Sequence, residues 1–208
     1  AARLERKARR QDARRQPVLA AARALLEEGG ASALTISALA QAADTSAPTL
    51  YYYFDSKEAV ADALAVELLQ EETHALRAAL DGSAGGVESV VAVMQARLRF
   101  YVERPSSFSL LYGALTSLGV RPQTLQQHVY PLAALVMGEL EARLRADQQA
   151  GTVHAALRPR EFANVAFLSV QGILSASISM SQAGGTLLFG VDTLLAEAVA
   201  MVRRAALS

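Results

Sequence analysis

Apolar residues recur every three or four positions along most of the chain, and no stretch alternates convincingly between apolar and polar residues. This spacing places apolar side chains on one face of a helix and therefore predicts an all-α fold. The predicted helices cover approximately residues 17–29, 36–43, 47–54, 55–80, 87–103, 106–117, 122–148, 159–182 and 187–206.

Proline and capping residues predict several helix ends. Pro17 stands where a first helix would begin, because its fixed φ suits the first helical position. Thr35 is the predicted N-cap of the second helix. Asp55, with Glu58 three residues later, has the layout of a capping box for the fourth helix. Pro131 is a candidate break within the segment 122–148, since proline removes a helical hydrogen bond.

The second and third predicted helices are joined by the short polar break Asp44-Thr45-Ser46, in which Ser46 is expected to cap the third helix. Two short helices joined this tightly form a helix-turn-helix, and the DNA major groove admits one such helix. Four apolar residues are expected to hold the pair together: Leu39, Ala40, Ala43 and Leu50.

The third predicted helix carries a run of aromatic residues within TSAPTLYYYFDSKEAV, residues 45–60. Neighbouring residues on a helix point about 100° apart, so Tyr51, Tyr52 and Tyr53 cannot all be buried. We interpret the surface tyrosines as donors to DNA phosphates and expect Phe54 to pack into the small core. The alternative interpretation is core packing with one aromatic residue at its edge.

The exposed N-terminal end of this helix is expected to face base edges, through Ala47, Pro48 and Thr49. Lys57, at the start of the next helix, adds a positive charge close to the same DNA strand. Turn, cap, tyrosines and lysine together favour the DNA interpretation over simple packing.

Basic residues are concentrated at the N-terminal end, although the net charge of the chain is zero. Such a segment indicates a polyanionic partner, and the alternative is a solvated tail. We expect residues 1–16 to form an arm that lies on phosphates or enters a minor groove. The basic side chains of residues 1–23 are Arg3, Arg6, Lys7, Arg9, Arg10, Arg14, Arg15 and Arg23, against Glu5 and Asp12.

Composition excludes several other classes of protein. The 208 residues include no cysteine, which excludes disulfides, cysteine-based zinc sites and thiol catalysis. No nucleophile–base pair, phosphate loop or metal-ligand spacing stands out, so we expect neither an enzyme nor a metal or cofactor site. No apolar run reaches the ~18 residues of a membrane span, and the charged N-terminus does not resemble a signal peptide. We therefore expect a cytoplasmic protein that does not bind membranes.

The run LTISALAQAADTSAPTLYYYFDSKEAVADALAVELL resembles the DNA-binding segment of the tetracycline-repressor (TetR) family of bacterial transcriptional regulators. Within that family its motif is most similar to the tetracycline-repressor subgroup. The resemblance implies an N-terminal three-helix DNA-binding unit and a larger helical domain that binds an effector and dimerises. The implied DNA-binding residues are Thr35, Ser37, Ser46, Ala47, Pro48, Thr49, Tyr51, Tyr52, Tyr53 and Lys57.

This sequence departs from the family pattern at a few positions. Asp44 stands where the family usually has a glycine in the turn, but aspartate tolerates the left-handed conformation. Ser37 and Ala47 stand where members of the subgroup have longer base-reading side chains, which implies a different operator sequence.

The implied domains are the basic arm 1–16, the helix-turn-helix domain 17–62 and the effector-binding and dimerisation domain 63–208. In the last domain, apolar side chains with a few polar ones are expected to line an effector cavity, and ordinary core packing is the alternative. Asn164, Gln171 and His128 are favoured because a buried polar group needs a partner. The candidate lining residues are Met94, Leu98, Tyr101, Phe108, Leu111, Tyr112, His128, Asn164, Phe167, Gln171 and Ser175.

The last two predicted helices, about 159–182 and 187–206, suit a homodimer interface. Small residues at Ser169, Gly172, Ala176 and Ser179 permit close helix approach, and the final helix has an apolar stripe. The predicted function is therefore a repressor released from operator DNA by a small effector. The alternative is a helix-turn-helix regulator without an effector, controlled by a protein partner.

Overall fold

The computed structural model describes residues 2–113 and 121–207, with side chains from Arg15 onward except at 113, 125 and 129. These ranges are helical and contain no strand, which confirms the all-α prediction. Short non-α turns lie at Ala31–Ala33, Ser109–Gly113 and Leu125–Val129. The helices are α1 (Ala2–Gly29), α2 (Ile36–Ala42), α3 (Ala47–Tyr53), α4 (Lys57–Asp81), α5 (Gly86–Val102), α6 (Pro105–Phe108), α7 (Pro122–Thr124), α8 (Tyr130–Gln149), α9 (Pro159–Gln182) and α10 (Val191–Leu207).

The chain divides into two compact units, and the first is not a continuous segment. The N-terminal unit comprises Ala1–Leu68 and Arg104–Gln127, and the C-terminal unit comprises Leu69–Glu103 and His128–Ser208. The division falls within α4, a little beyond the boundary expected from the sequence. The segment containing α6 and α7 belongs to the N-terminal unit, although the sequence placed it with the effector domain.

The core of the N-terminal unit is formed by α1, α2, α3 and the first half of α4. On α1, Val18, Ala22 and Leu26 follow helical spacing and are buried on one face. On α4, the buried positions Val60, Leu64 and Leu68 follow the same spacing. The resulting single cluster comprises Val18, Leu19, Ala22, Leu26, Leu34, Leu39, Ala40, Leu50, Phe54, Val60, Ala61, Leu64, Ala65, Leu68 and Leu110.

Polar contacts attach the segment 104–127 to this unit. The Ser107 hydroxyl donates to Glu27 Oε1 on α1 at 2.5 Å. The nearly buried Asp62 carboxylate accepts the backbone N–H of Arg121 at 2.9 Å and a second bond from its guanidinium. This hydrogen bond to Asp62 raises the pKa of Arg121. Leu110 enters the apolar core, so this segment contributes to the stability of the unit that carries the helix-turn-helix.

The C-terminal unit is a helical bundle in which α5 packs against α8, α9 and α10. At the start of α5, the Gly86 N–H donates to Asp147 Oδ2 on α8 at 2.6 Å. A Cβ on Gly86 would lie 2.6 Å from the backbone of Leu144, so α5 and α8 approach closely only because residue 86 is glycine. Bundle formation therefore depends on a small residue at this crossing.

Several helix ends differ from the sequence predictions. Pro17 lies inside α1 and does not begin it. The preceding segment is rich in alanine, arginine and glutamine, whose helix propensity offsets the hydrogen bond that proline loses. Ser56 caps α4 by accepting the Ala59 N–H at 3.2 Å, so the predicted capping box of Asp55 and Glu58 is wrong.

Differences also occur near the C-terminal helices. A π-helical turn over Leu125–Val129 precedes Pro131, so the predicted 122–148 helix is interrupted before the proline. The final helix begins at Val191, after an irregular stretch that ends at Gly190. The end of the predicted 106–117 helix lies outside the described residues.

Helix α9 is amphipathic, and several of its apolar residues are exposed. Among the described helices it alone is long and apolar enough to cross a membrane by length and composition, and only a minor part of it is buried. This is a weak indication of a span, because a helix at a subunit interface has the same composition. Val165 and Leu168 are among its exposed apolar residues.

Candidate nucleic-acid interface

The helix-turn-helix is held by two side-chain caps at the helix N-termini. Thr35 Oγ1 accepts the Ala38 N–H at 3.1 Å at the start of α2. Ser46 Oγ accepts the Thr49 N–H at 3.3 Å at the start of α3 and lies 2.8 Å from the Thr49 hydroxyl. Each hydroxyl satisfies a backbone donor that has no partner within the helix, so both predicted caps are confirmed.

Asp44 allows the chain to reverse between α2 and α3. Its φ is 47°, and no other non-glycine residue in the described ranges has a positive φ. The Thr45 N–H then donates to the carbonyl of Ala40 at 2.9 Å, which closes the end of α2. Aspartate therefore adopts the left-handed conformation in this turn, as the sequence predicted.

Buried apolar contacts hold the two helices in place. Leu39 and Leu50 are completely buried, Ala40 is nearly so, and Ala43 packs against the same cluster. Phe54 follows α3 in an extended conformation and is 2% exposed, as the sequence predicted. With its buried side anchored in this way, α3 presents its opposite side to solvent.

The predicted DNA-binding residues lie mostly on that exposed side. Ala47 and Tyr53 are half-buried, and Tyr53 packs against the apolar core. The other predicted residues are exposed: Thr35, Ser37, Ser46, Pro48, Thr49, Tyr51, Tyr52 and Lys57. The arrangement brings uncharged polar groups and one lysine together around a short helix, without a buried charge.

The three tyrosines have different environments. Tyr51 is 51% exposed and Tyr52 is 79% exposed, whereas Tyr53 is partly covered by the core. The rings of Tyr52 and Tyr53 meet edge to face, with centroids 5.0 Å apart. This edge-to-face contact restricts the Tyr52 ring, although most of Tyr52 is exposed.

The basic N-terminal segment continues the helix α1. The side chains of residues 1–14 lie outside the described residues, so contacts predicted for Arg3 to Arg14 stay predictions. Arg15 is described, and its guanidinium carbon lies 4.5 Å from the centroid of the Phe54 ring. Arg15, in the middle of α1, therefore contacts the residue that directly follows α3.

The predicted effector residues are divided between the two units. Met94, Leu98 and Tyr101 are buried in the C-terminal unit, where Phe167, Gln171 and Ser175 are half-buried. In the N-terminal unit, Phe108 is buried and Tyr112 stacks on it with ring centroids 5.2 Å apart. Leu111, in the same unit, packs against its core.

Two polar candidates do not face the interior of the chain. Asn164 is exposed and its amide donates to the Arg160 carbonyl of the same helix at 2.8 Å. His128 is also exposed. Neither residue is buried as expected, because Asn164 lies on the exposed side of α9 and His128 lies in the π-helical turn before α8.

A buried polar network that sequence reasoning missed lies in the C-terminal unit. The fully buried Arg97 donates from Nε to Glu72 Oε1 at 2.9 Å, and Tyr101 donates to Glu72 Oε2 at 2.7 Å. Arg97 also donates to the Phe167 carbonyl at 3.2 Å and to Gln171 Oε1 at 3.3 Å. The Oε1 atom of Gln171 thus has a partner within the chain, and a ligand role for Gln171 stays a prediction.

One sequence signal pointed to this network. Arg97 lies on the same helical face as Met94, Leu98 and Tyr101, and a charged residue on an apolar face requires a buried partner. Its partner Glu72 is 25 positions away along the chain. The described residues contain no group of three or more histidine, aspartate or glutamate side chains arranged to hold a metal ion.

Comparison with known proteins agrees with this geometry. Residues 18–64 match the family model described as "Bacterial regulatory proteins, tetR family". A search of curated proteins finds no match. The matched segment contains the helix-turn-helix and the exposed residues of α3.

Solved structures extend the similarity in fold over nearly the whole chain. A protein of unknown function from Rhodococcus sp. RHA1 is 23% identical with a TM-score of 0.73, covering 94% of this chain and 96% of that one. The regulator FadR from Bacillus subtilis, solved with stearoyl-CoA, is 16% identical with a TM-score of 0.70, covering 91% and 98%.

The ketosteroid transcriptional regulator KstR2 of Mycobacterium tuberculosis is 18% identical with a TM-score of 0.64, covering 94% of this chain and 95% of that one. At these identities the similarity describes the fold alone. The helix-turn-helix geometry and the family match together identify residues 18–64 as a DNA-binding segment of the tetR family of bacterial regulatory proteins.

Proposed function

We propose that this protein binds operator DNA through α3 as a homodimer and is released when a small molecule binds its C-terminal unit. In this proposal the N-terminal end of α3, with Ala47, Pro48 and Thr49, faces base edges in the major groove. Exposed hydroxyls and the Lys57 ammonium contact phosphates, which fix the position of the helix without reading sequence. The protein acts in the cytoplasm, where its DNA target lies.

The observation that carries the DNA proposal is the exposure of Tyr51 and Tyr52, at 51% and 79%, on a helix capped by Ser46. A helix of seven residues is not stable by itself, so its caps and buried side hold a specific surface in place. Two neighbouring exposed phenols contribute little to folding. Their hydroxyls suit donation to phosphate oxygens.

Removing one hydroxyl tests this role. The probe is a DNA duplex that the wild-type protein selects from a random-sequence library. We expect Tyr52→Phe to weaken binding to this duplex about 2- to 10-fold, which corresponds to the loss of one hydrogen bond. Tyr130→Phe is the matched control, because Tyr130 is 60% exposed on α8 in the other unit. Fluorescence anisotropy measures both affinities. Equal affinities for the two variants and the wild type would remove the phosphate role of Tyr52.

The homodimer proposal is supported by the exposed apolar residues of α9 and α10. Val165, Leu168 and Met201 are 65%, 59% and 63% exposed in the single chain. A Cβ on Gly172 would meet no atom within 4 Å, so this side of α9 is open to a close helix contact. A second copy related by a two-fold axis would cover the same surface on both chains.

Sedimentation velocity tests the dimer. We expect Leu168→Glu to shift the protein from dimer to monomer, because it places a charge in an apolar interface. Leu135→Glu is the matched control, since Leu135 is 54% exposed on α8, outside the proposed surface. A monomeric wild-type protein, or dissociation by Leu135→Glu alone, would contradict this interface.

The effector proposal is supported by the continuity of α4. This helix carries Lys57 at its first residue and Glu72 in the C-terminal unit, where Glu72 accepts bonds from Arg97 and Tyr101. An effector that favours one arrangement of these residues would therefore act on the same helix that begins beside α3. This is a population shift, and it requires different affinities for the two states.

Two probes follow from the fold comparison: stearoyl-CoA, bound by FadR, and a ketosteroid, suggested by the description of KstR2. We expect an effector to raise the Tm of the protein by mass action and to dissociate the selected duplex. A compound that raises Tm without releasing DNA is not the effector. If a screen that includes both probes yields no ligand, the alternative of control by a protein partner is favoured.

A further inference from the structure

Arg15 lies where the apolar face of α1 reaches the end of the candidate recognition helix α3. On α1 the buried residues Val18, Leu19 and Ala22 follow Arg15 at intervals of three and four, so its side chain continues the same face. A long arginine side chain at the edge of a core buries its stem and keeps its charged end near solvent.

The guanidinium of Arg15 stacks on Phe54, with Cζ 4.5 Å from the ring centroid. Its Nε is buried and has no hydrogen-bond acceptor among the described residues. Leaving a charged donor without an acceptor is unfavourable, and attraction to the ring face offsets only part of this cost. The stack therefore orients a guanidinium whose Nε–H has no acceptor within the described part of the chain.

The position of the stacked guanidinium indicates which acceptor it can bind. Phe54 follows directly after Tyr51, Tyr52 and Tyr53, and Lys57 begins the next helix. Arg15 therefore contacts the residue that lies, along the chain, between the exposed tyrosines and Lys57. A guanidinium that is already oriented loses less conformational entropy when it binds an anion than a freely rotating side chain loses.

We propose that Arg15 binds a phosphate of the operator backbone and that the Phe54 ring holds its guanidinium in position for this contact. The inference rests on the proposed DNA-binding function. It assigns Arg15 a role in affinity and in salt dependence, without a role in reading bases.

The salt dependence of DNA binding tests this assignment. Each phosphate neutralised by a protein cation contributes about 0.9 to the slope of log K against log salt concentration. We expect Arg15→Gln to lower that slope by about one and to weaken binding about 10-fold at low salt. The loss should be equal for the selected duplex and for a scrambled duplex, because backbone contacts do not depend on sequence.

Two further variants distinguish the phosphate contact of Arg15 from the effect of the Phe54 ring and from a change in net charge. Phe54→Leu keeps an apolar side chain but removes the ring, so it should weaken binding several-fold and keep the wild-type slope. Arg145→Gln removes an equal charge from α8, where Arg145 pairs with Glu141, and should leave both quantities unchanged. Thermal unfolding of each variant measures any purely structural effect independently.

A wild-type slope in Arg15→Gln, with or without a lower Tm, would overturn the phosphate contact and leave Arg15 as a packing residue. A reduction in slope by Arg145→Gln of the same size would also overturn it, because the effect would then reflect net charge. If the wild-type protein binds no duplex, the proposed function itself fails. If the wild-type protein binds the duplex and Arg15→Gln keeps the wild-type slope, only this inference fails.

Discussion

Arg97 and Glu72 form an ion pair in the interior of the C-terminal unit, with Nε and Oε1 2.9 Å apart and side chains 0% and 4% exposed. The pair joins α5 to α4, and the Phe167 ring covers the guanidinium, 3.7 Å from Cζ to the ring centroid. A buried pair costs desolvation energy, so its benefit depends on both partners being present.

We therefore expect Arg97→Ala and Glu72→Gln each to lower the free energy of unfolding by about 3–5 kcal/mol, because each leaves polar groups buried without their charged partner. Replacing both residues with apolar ones, as in Arg97→Met with Glu72→Leu, should cost much less than the two single changes together. Urea denaturation of the full chain measures these values. Additive losses in the double variant would show that the pair is not coupled.

Gly86 permits a close crossing of α5 and α8 in the C-terminal unit. A Cβ there would lie 2.6 Å from Leu144 N and Cα, and backbone atoms cannot move aside as a flexible side chain does. We expect Gly86→Ala to destabilise the protein by about 1–3 kcal/mol or more through overpacking.

Gly138→Ala is the matched control for this crossing. Gly138 lies in α8, and a Cβ there would meet no atom within 4 Å. Alanine should therefore stabilise the helix by up to about 1 kcal/mol through its propensity. Thermal or urea unfolding of both variants distinguishes the two effects. Helix propensity alone predicts that Gly86→Ala and Gly138→Ala both stabilise the protein, whereas the steric effect predicts that Gly86→Ala destabilises it.

Ser46 caps α3 and lies at the exposed end of this helix. Ser46→Ala should lower the free energy of unfolding by about 1 kcal/mol, because the Thr49 N–H loses its acceptor. Ser46→Asp should retain stability, since aspartate also caps a helix, but it should weaken DNA binding by repelling phosphates. Urea denaturation and anisotropy separate the two effects. A lower free energy of unfolding in Ser46→Asp than in Ser46→Ala would show that capping α3 is not the main role of Ser46.

Glu88 on α5 and Arg203 on α10 form a surface pair with two hydrogen bonds, of 3.0 and 2.7 Å. The hydrogen bond from Arg203 holds the pKa of Glu88 below its usual value of 4.5. A carboxylate with a lowered pKa stabilises the fold at pH values above its unfolded pKa, and this stabilisation is lost as the pH falls through the folded pKa.

The Tm of Glu88→Gln should therefore lie slightly below that of the wild type at pH 7, and the difference should disappear once the pH falls well below 4.5. Added salt should reduce the difference at pH 7, since both side chains are about half exposed. Differential scanning calorimetry across this pH range measures the effect. A difference that persists at the lowest pH would point to lost packing.

The helix-turn-helix could be predicted almost completely from the sequence. Ser46 and Thr35 cap helices through contacts with residues three positions away, and Asp44 adopts its left-handed conformation within a turn. Such interactions are local, so residue type and spacing are sufficient to predict them. The tyrosines follow from the same reasoning, because three neighbouring helical positions cannot share one buried face.

Residues close together along the chain thus specified the helices, the turn and the exposed surface of α3. The pairing of Arg97 with Glu72, the stacking of Arg15 on Phe54 and the attachment of Arg121 to Asp62 could not be read in the same way. Each joins residues far apart in the chain, whose meeting depends on how whole helices pack. Periodicity states which face of a helix is buried, but it does not state which distant side chain lies opposite.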